Sequence, residues 1–406
     1  MRNVVFALPF FMETTLRFVR GLTTVPGVRL GLVTQDPRRA LPPDIDRAIV
    51  GHWQVANALD PADLLTGVRG VAGQMGGIDR LVGTLEQLQV PLGCVRDRMG
   101  LDGIGEQTAM NFRDKSRMKT VLRATGVPCA RHRLATSVAD ALSFVSVVGY
   151  PVVGKPPDGA GSKATYRIET EEQLRDVLQS IPPSPEKPYM FEEFITGDER
   201  SFDAINVGGE TVWHSLTHYD PMPLHVIETP WIQWTVMLPR EVDHPRYDDI
   251  RRVAKKALKA LGMGTGLSHM EWFQRPDGSV AVSEVGARPP GSQICSMIGY
   301  ANDIDFYAAW GRLVATDQFT KPERRFAVGT AYLRGQGTGR VSRVTGFEDA
   351  KRDLGHLIVE AKLPAIGQAP TGTYDGEGYV ILKHPSTEVV ERALKRLVSL
   401  VKVELS

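Results

Sequence analysis

The chain has 406 residues, with 48 Lys plus Arg against 47 Asp plus Glu, a net charge of +1, and 42% hydrophobic and 23% charged residues. That length suits two or three coupled domains, and the balanced charge excludes both the basic footprint of a nucleic-acid binder and a polybasic membrane tether. The cysteines, Cys94, Cys129 and Cys295, match no metal spacing and fit free thiols in a reducing compartment.

The N-terminal run through Pro9 carries one charge and a short apolar stretch, which reads as a buried strand and is too short for a signal peptide. No segment approaches the roughly 20 apolar residues of a membrane span. The expectation is a cytoplasmic globular enzyme or binding protein that contacts neither nucleic acid nor membrane. Over residues 1–112, apolar runs at 4–8, 28–33, 48–50 and 78–82 alternate with helix-like segments such as 14–22 and 61–68. This alternation predicts a parallel, doubly wound α/β domain. No G-x-G-x-x-G follows any of these strands, which argues against a dinucleotide site.

A helix is predicted over 113–125, stopped by Gly126, and another begins after Ser137 and ends at Gly149. Residues 150–168 read as strand, Gly-rich loop, strand. Thr170 and Gln173 form a capping-box pair before a third helix, and the Pro-rich run 181–188 is a linker. Residues 127–187 are therefore predicted to be a small α+β subdomain. Antiparallel strands and one amphipathic helix, 247–261, are expected over 189–287. Strands at 328–334 and 378–382 and a helix at 387–401 fall in a last segment, 311–406.

Four groups of residues carry the chemistry. The runs 269–273 and 280–285 flank Pro276-Asp277-Gly278, a hairpin signal. With Asp277-Gly278 as the turn centre, Glu271 faces Glu284 on one side of the hairpin. Facing carboxylates repel unless a cation lies between them, and oxygen donors suit Mg²⁺ with bound phosphate; a solvated face with surface acids has the same pattern. A buried strand delivers Lys155 into the small-residue loop Gly159, Ala160, Gly161, Ser162, a phosphate-cradling combination or equally a Gly-rich hairpin beside a surface lysine. In 191–203, backbone groups near Glu193 and Ile195 are suited to an adenine edge and Glu199 to ribose hydroxyls; a charged edge strand with a turn reads the same. Arg288 follows Glu284 by four residues and suits a phosphoryl group or a substrate carboxylate. Gly291-Ser292 is read as the start of a helix whose amides form a second anion site.

In order, Lys115 on a helix, Lys155 with its loop, Glu192-Glu193-Phe194-Ile195 with Glu199, Glu271, and Glu284-x-x-x-Arg288 resemble the ATP-grasp superfamily in its carboxylate–amine ligase branch, with L-amino-acid ligase and biotin-carboxylase-like architecture. The resemblance spans nearly the whole chain. It implies an ATP-grasp region at 113–310 with 127–187 as a lid, completed by 311–406. It implies that Lys115, Lys155 and the loop contact ATP phosphates, that Glu192–Ile195 and Glu199 hold the nucleoside, and that Glu271 and Glu284 bind Mg²⁺, with Mn²⁺ as an alternative ion. Arg288 would steady the transferring phosphoryl group, and Glu86 matches a position that faces substrate. The implied reaction activates a small-molecule carboxylate as an acyl phosphate and passes it to an amine, and analogy with relatives implies a homodimer. Carboxylase-like or kinase-like chemistry, or a regulatory subunit without chemistry, are the alternatives. One departure is Gly286 where the family has a metal-binding Asn. Hairpin pairing puts His269 opposite, so His269 is expected to fill the space and touch substrate. Segment 211–238, with Trp213, His214, His218, Trp231 and Trp234, is read as lining the acceptor pocket or as plain core.

Overall fold

The protein, described by a computed structural model over residues 1–159, 165–229 and 231–406, is built around one large eight-stranded sheet, two four-stranded sheets and one three-stranded sheet. Strands β1 (Arg2–Leu8), β2 (Val28–Thr34), β3 (Gly51–Gln54) and β4 (Arg80–Val82) form a parallel sheet in the order β3-β2-β1-β4. Both faces are covered. Val4, Phe6 and Leu8 pack toward the helices Glu13–Thr23 and Phe306–Thr316, while Val5 and Ala7 pack toward Pro61–Met75 and Gln89–Met99. Two-sided burial explains why β1 is apolar without alternation. The strand expected at 48–50 is instead the exit of the helix Pro43–Ala48, which Pro42 and Pro43 initiate; the strand follows at Gly51. The helix expected over 113–125 is two helices, Glu106–Arg113 and Lys115–Ala124. Asp114 breaks the run by accepting the amides of Ser116 and Arg117 as an N-cap.

A four-stranded antiparallel sheet follows, with β5 (His132–Ala135), β6 (Val152–Lys155), β7 (Tyr166–Ile168) and β8 (Tyr189–Glu193) in the order β5-β8-β6-β7. Helices Val138–Val148 and Glu171–Ser180, capped by Ser137 and Thr170, cover it. Strand β8 belongs to this sheet, past the linker at 181–188, so the large sheet begins at Asp198 rather than at Tyr189.

That large sheet takes β9 (Asp198–Val207), β10 (Glu210–Asp220), β11 (Trp234–Leu238), β12 (Gly266–Gln274), β13 (Val280–Gly286) and β14 (Ala327–Leu333). The chain then forms β15 (Gln336–Gly337), β16 (Val341–Thr345), β17 (Ile358–Lys362), β18 (Gly378–His384) and β19 (Lys402–Leu405). Strands β17 and β18 join the large sheet, order β13-β12-β9-β10-β11-β14-β18-β17, and β15, β19 and β16 form a small separate one. Alternation along β9 and β12 assigns their two faces. Phe202, Ala204, Met270 and Trp272 pack with the amphipathic helix Asp248–Leu261. Ser201, Asp203, His269 and Glu271 therefore point to the opposite face, where the cleft lies. Among the described residues no helix is long and apolar enough to cross a membrane.

The parallel sheet is clamped to this body by helix Glu13–Thr23 against helix Phe306–Thr316. Gly21 lets the two backbones meet: a Cβ there would lie 2.4 Å from the Tyr307 carbonyl carbon. Phe18 sits edge-on to Tyr307 and Trp310, each with ring centroids 4.9 Å apart. Gly21→Val should therefore lower stability by about 1–3 kcal/mol through overpacking. Gly73→Ala, on a helix with nothing within 4 Å of the added carbon, should raise it by about 0.5–1 kcal/mol. Thermal denaturation of the two variants measures both.

Candidate active site

The β12–β13 hairpin sets two acids face to face. Glu271 is in register with Glu284 and His269 with Gly286. The turn that produces this is not the expected two-residue one. Arg275 N donates to Ser279 O at 2.8 Å and Gly278 N to Arg275 O at 2.9 Å, so three residues, Pro276 to Gly278, close it, with Gly278 left-handed at φ 82°. That shifts the pairing by one residue near the turn. A bulge at Ser283, unpaired between Val282 and Glu284, shifts it back. The bulged carbonyl accepts Lys119 Nζ at 2.9 Å.

Cations surround the acids. Lys115 Nζ lies 2.9 Å from Glu284 and donates to Gly159 O at 2.7 Å, tying the start of the Gly-rich loop to the acid pair. Ala160, Gly161 and Ser162 lie outside the described residues. Glu192, on β8, sits between Lys155 at 2.6 Å and Lys119 at 3.0 Å. Burial alone would raise its pKa, but the two ammonium groups hold it down to about 2. The Glu192 carboxylate is thus held between two lysines at the wall of the cleft. Glu193 likewise turns its carboxylate to Arg131 at 2.5 Å. The Glu193 amide donates to Arg131 O and the Phe194 amide to Pro151 O, whereas the Ile195 amide has no hydrogen-bond partner among the described residues. Glu199, in register with Phe273, is pushed up to about 8 by burial and by the charge of Glu271.

Arg288 Nε and Glu86 Oε2 are 2.5 Å apart. Burial and this guanidinium act oppositely on Glu86, and the guanidinium prevails, lowering its pKa. The pair also fills the space that Gly286 leaves, since a Cβ there would come within 3.3 Å of Glu86 Oε2 and 3.5 Å of Arg288 Cγ. His269 does not fill it, contrary to expectation. Its Nδ1 is held 2.7 Å from the fully buried Asp203, and its Nε2 is 3.8 Å from Glu271. Burial would lower the His269 pKa, but Asp203 overrides it and raises it to about 9. The Gly291-Ser292 pair does not open a helix either. Ser292 and Gln293 are left-handed, at φ 49° and 59°, and the helix begins at Ile294. Gly291 and Ser292 therefore precede the helix and line the cleft as a turn.

These groups line one cleft of about 410 Å³ between the parallel sheet, the eight-stranded sheet and the β5–β8 sheet, which Glu86, Lys115, Lys155, Gly159, Glu192 to Ile195, Glu199, His269, Glu271, Glu284, Arg288, Gly291 and Ser292 all reach. Lys119, Tyr219 and Tyr374 line it too and escaped the sequence reading. Lys119 was detectable as the residue one helical turn beyond Lys115 on the same helix face. Of segment 211–238, Trp234 lines the cleft with Tyr219 and Leu224. Trp213 is core, and Trp231 is 64% exposed. His214 stacks on Phe202, and His218 bonds Tyr247 Oη at 3.0 Å. Among the described residues no three His, Cys, Asp or Glu side chains converge as a metal cage. Two facing carboxylates fit a Mg²⁺ whose other ligands are phosphate and water.

Residues 120–301 match the ATP-grasp domain model. The chain is 24% identical to an uncharacterized protein of Sinorhizobium fredii over 348 residues, 83% of this chain and 70% of that protein. It is 26% identical to an L-arginine-specific L-amino acid ligase of Bacillus subtilis over 230 residues, spanning 55% of each chain, so this chain covers about half of that ligase. Its fold superposes on the crystal structure of an L-amino acid ligase from Bacillus licheniformis with a TM-score of 0.80 at 17% identity, covering 100% of this chain and 99% of that one.

The Glu192 triad makes a pH prediction. Because its folded pKa is depressed, Glu192 stabilises the fold fully above its ordinary value of 4.5, and this contribution fades as pH falls toward about 2. Wild type should exceed Glu192→Gln by about 3–5 kcal/mol at neutral pH. Denaturant unfolding at several pH values should show that gap constant above pH ~5 and shrinking below it.

Proposed function

We propose, from the ATP-grasp domain and ATP-grasp fold that this chain carries, that it is an ATP-dependent carboxylate–amine ligase working through an acyl phosphate. The observation that carries the reading is the register of Glu271 against Glu284, in one cleft with Lys155 and Arg288. ATP would lie along β6 and β8, its adenine edge meeting the Ile195 amide and its phosphates meeting Lys155 and Lys115. Bound Mg²⁺, held by Glu271 and Glu284, supplies charge neutralisation to the triphosphate.

Arg288 would orient the substrate carboxylate toward the γ-phosphorus, and Glu86, its partner, would take a cationic group of the same substrate. In-line attack by a carboxylate oxygen breaks the bond to the β,γ-bridging oxygen and releases ADP; positioning and fixed charge supply most of the acceleration. An amine then attacks the acyl carbon, and phosphate leaves as the amide forms. The β5–β8 sheet, tied to the body through Glu192 and Lys119, would exclude water from the intermediate.

ADP and phosphate release from Mg–ATP should require a carboxylate and an amine together and yield an amide by mass spectrometry. Release unaffected by the amine, or a stable phosphorylated product, would contradict the reading. Glu284→Gln should lower kcat at least about 100-fold while the fold is retained. Glu86→Gln should raise KM for the carboxylate substrate and leave KM for ATP unchanged.

A further inference from the structure

Two apolar compartments flank the acid pair. One lies beside β6 and β8, with Val153, Ile195 and Phe273, and suits the adenine. The other is walled from six separate segments by Phe18, Leu85, Leu224, Trp234, Ile294 and Tyr374, of which Phe18, Trp234, Ile294 and Tyr374 pack in one apolar cluster. Two of these walls are held rigid. Phe18 is wedged against Tyr307 and Trp310, and Trp234 Nε1 donates to Pro221 O at 3.0 Å while its ring contacts Tyr219, Tyr332 and Tyr374. Tyr374 is near enough to Arg288 and Glu271 to feel both charges, which places this compartment next to the reacting end of the cleft.

Most of the charged side chains lining the cleft are already engaged with one another or with a neighbour: Lys115 with Glu284, both other lysines with Glu192, Glu193 with Arg131, His269 with Asp203 and Arg288 with Glu86. The six wall residues are themselves uncharged, and the one acid on their segments that lines the cleft, Glu86 beside Leu85, is already paired with Arg288. A charged group buried there would lose its hydration without a partner, whereas an apolar one would gain from leaving water.

We infer that this compartment receives the side chain of the carboxylate substrate and selects an uncharged, apolar one. The inference rests on the reading that a carboxylate sits at Arg288. Leu224, half-buried on the short helix Pro223–Glu228, is the wall residue best placed to reset the selection, because it sits at the surface end of the compartment and not in the main core.

Titration calorimetry tests this without turnover. The full chain, loaded with Mg²⁺ and a non-hydrolysable ATP analogue, is titrated with leucine, phenylalanine, glutamate and lysine. Leucine and phenylalanine should bind at least about 10-fold tighter than glutamate and lysine. Leu224→Lys should weaken leucine and favour glutamate, and Leu224→Glu should favour lysine, with affinity for the ATP analogue unchanged in both. Opposite shifts from two variants of one residue cannot come from misfolding. Charged ligands binding as tightly as apolar ones, no binding by any of the four, or an unchanged ranking in both variants would overturn the inference. Phosphate release with an amine judges the ligase reading separately: its failure with the binding preference intact removes the ligase and leaves the pocket, and the converse removes only the pocket.

Discussion

A carboxylate with almost no solvent contact stays ionised only if cations replace its water, and the cleft is organised around one such group. Glu192 on β8 meets Lys155 on β6 and Lys119 on the helix Lys115–Ala124. The three come from different elements, so one ionic triad fixes the small sheet to the helix and both to the β12–β13 hairpin, whose bulged carbonyl Lys119 also holds. Losing either lysine would leave a buried charge short of a partner, a cost of several kcal/mol. The positions of the acid pair and the strand that runs toward Ile195 both depend on that contact.

The same logic orders the remaining charges. Glu284 has Lys115, Glu86 has Arg288, and Asp203 has His269. Glu271 and Glu199 have no close ammonium or guanidinium partner among the described residues, and these face the space that nucleotide and metal would occupy in the proposed reaction. Burial and the charge of Glu271 raise the Glu199 pKa to about 8, as expected of an acid set beside another with no cation between them, and a bound cation would relieve that repulsion. The Arg288–Glu86 pair adds the parallel sheet to the cleft, because Glu86 follows β4 while Arg288 follows β13. The N-terminal sheet thus contributes to the wall of the cleft and is not a separate appendage.

Much of this was legible in the sequence, for specific reasons. The strand–helix alternation of residues 1–112 gave the parallel sheet, since two-sided burial leaves unbroken apolar runs. The acid pairing at 271 and 284 was legible too, although through a turn of the wrong length whose error a bulge at Ser283 cancels. Bulges leave no periodic trace, so that cancellation was invisible. Roles were harder than positions. Glu192 carries the same residue type as Glu193 one place on, and strand alternation points them to different partners, which only the fold reveals. Gly286 was seen as a missing side chain, but its replacement came from Glu86, some two hundred residues earlier, and no local pattern reports such a contact. The left-handed turn at Ser292-Gln293 likewise overrode an ordinary helix-start signal at Gly291.

The central claim is that the cleft joins a carboxylate to an amine by first making it a phosphoric anhydride. The most direct test is to supply the carboxylate substrate labelled with oxygen-18 and to analyse the phosphate released by mass spectrometry. The account predicts that one labelled oxygen per amide formed passes from the carboxylate to phosphate, because the attacking oxygen leaves with the phosphoryl group. Unlabelled phosphate alongside amide product would contradict it.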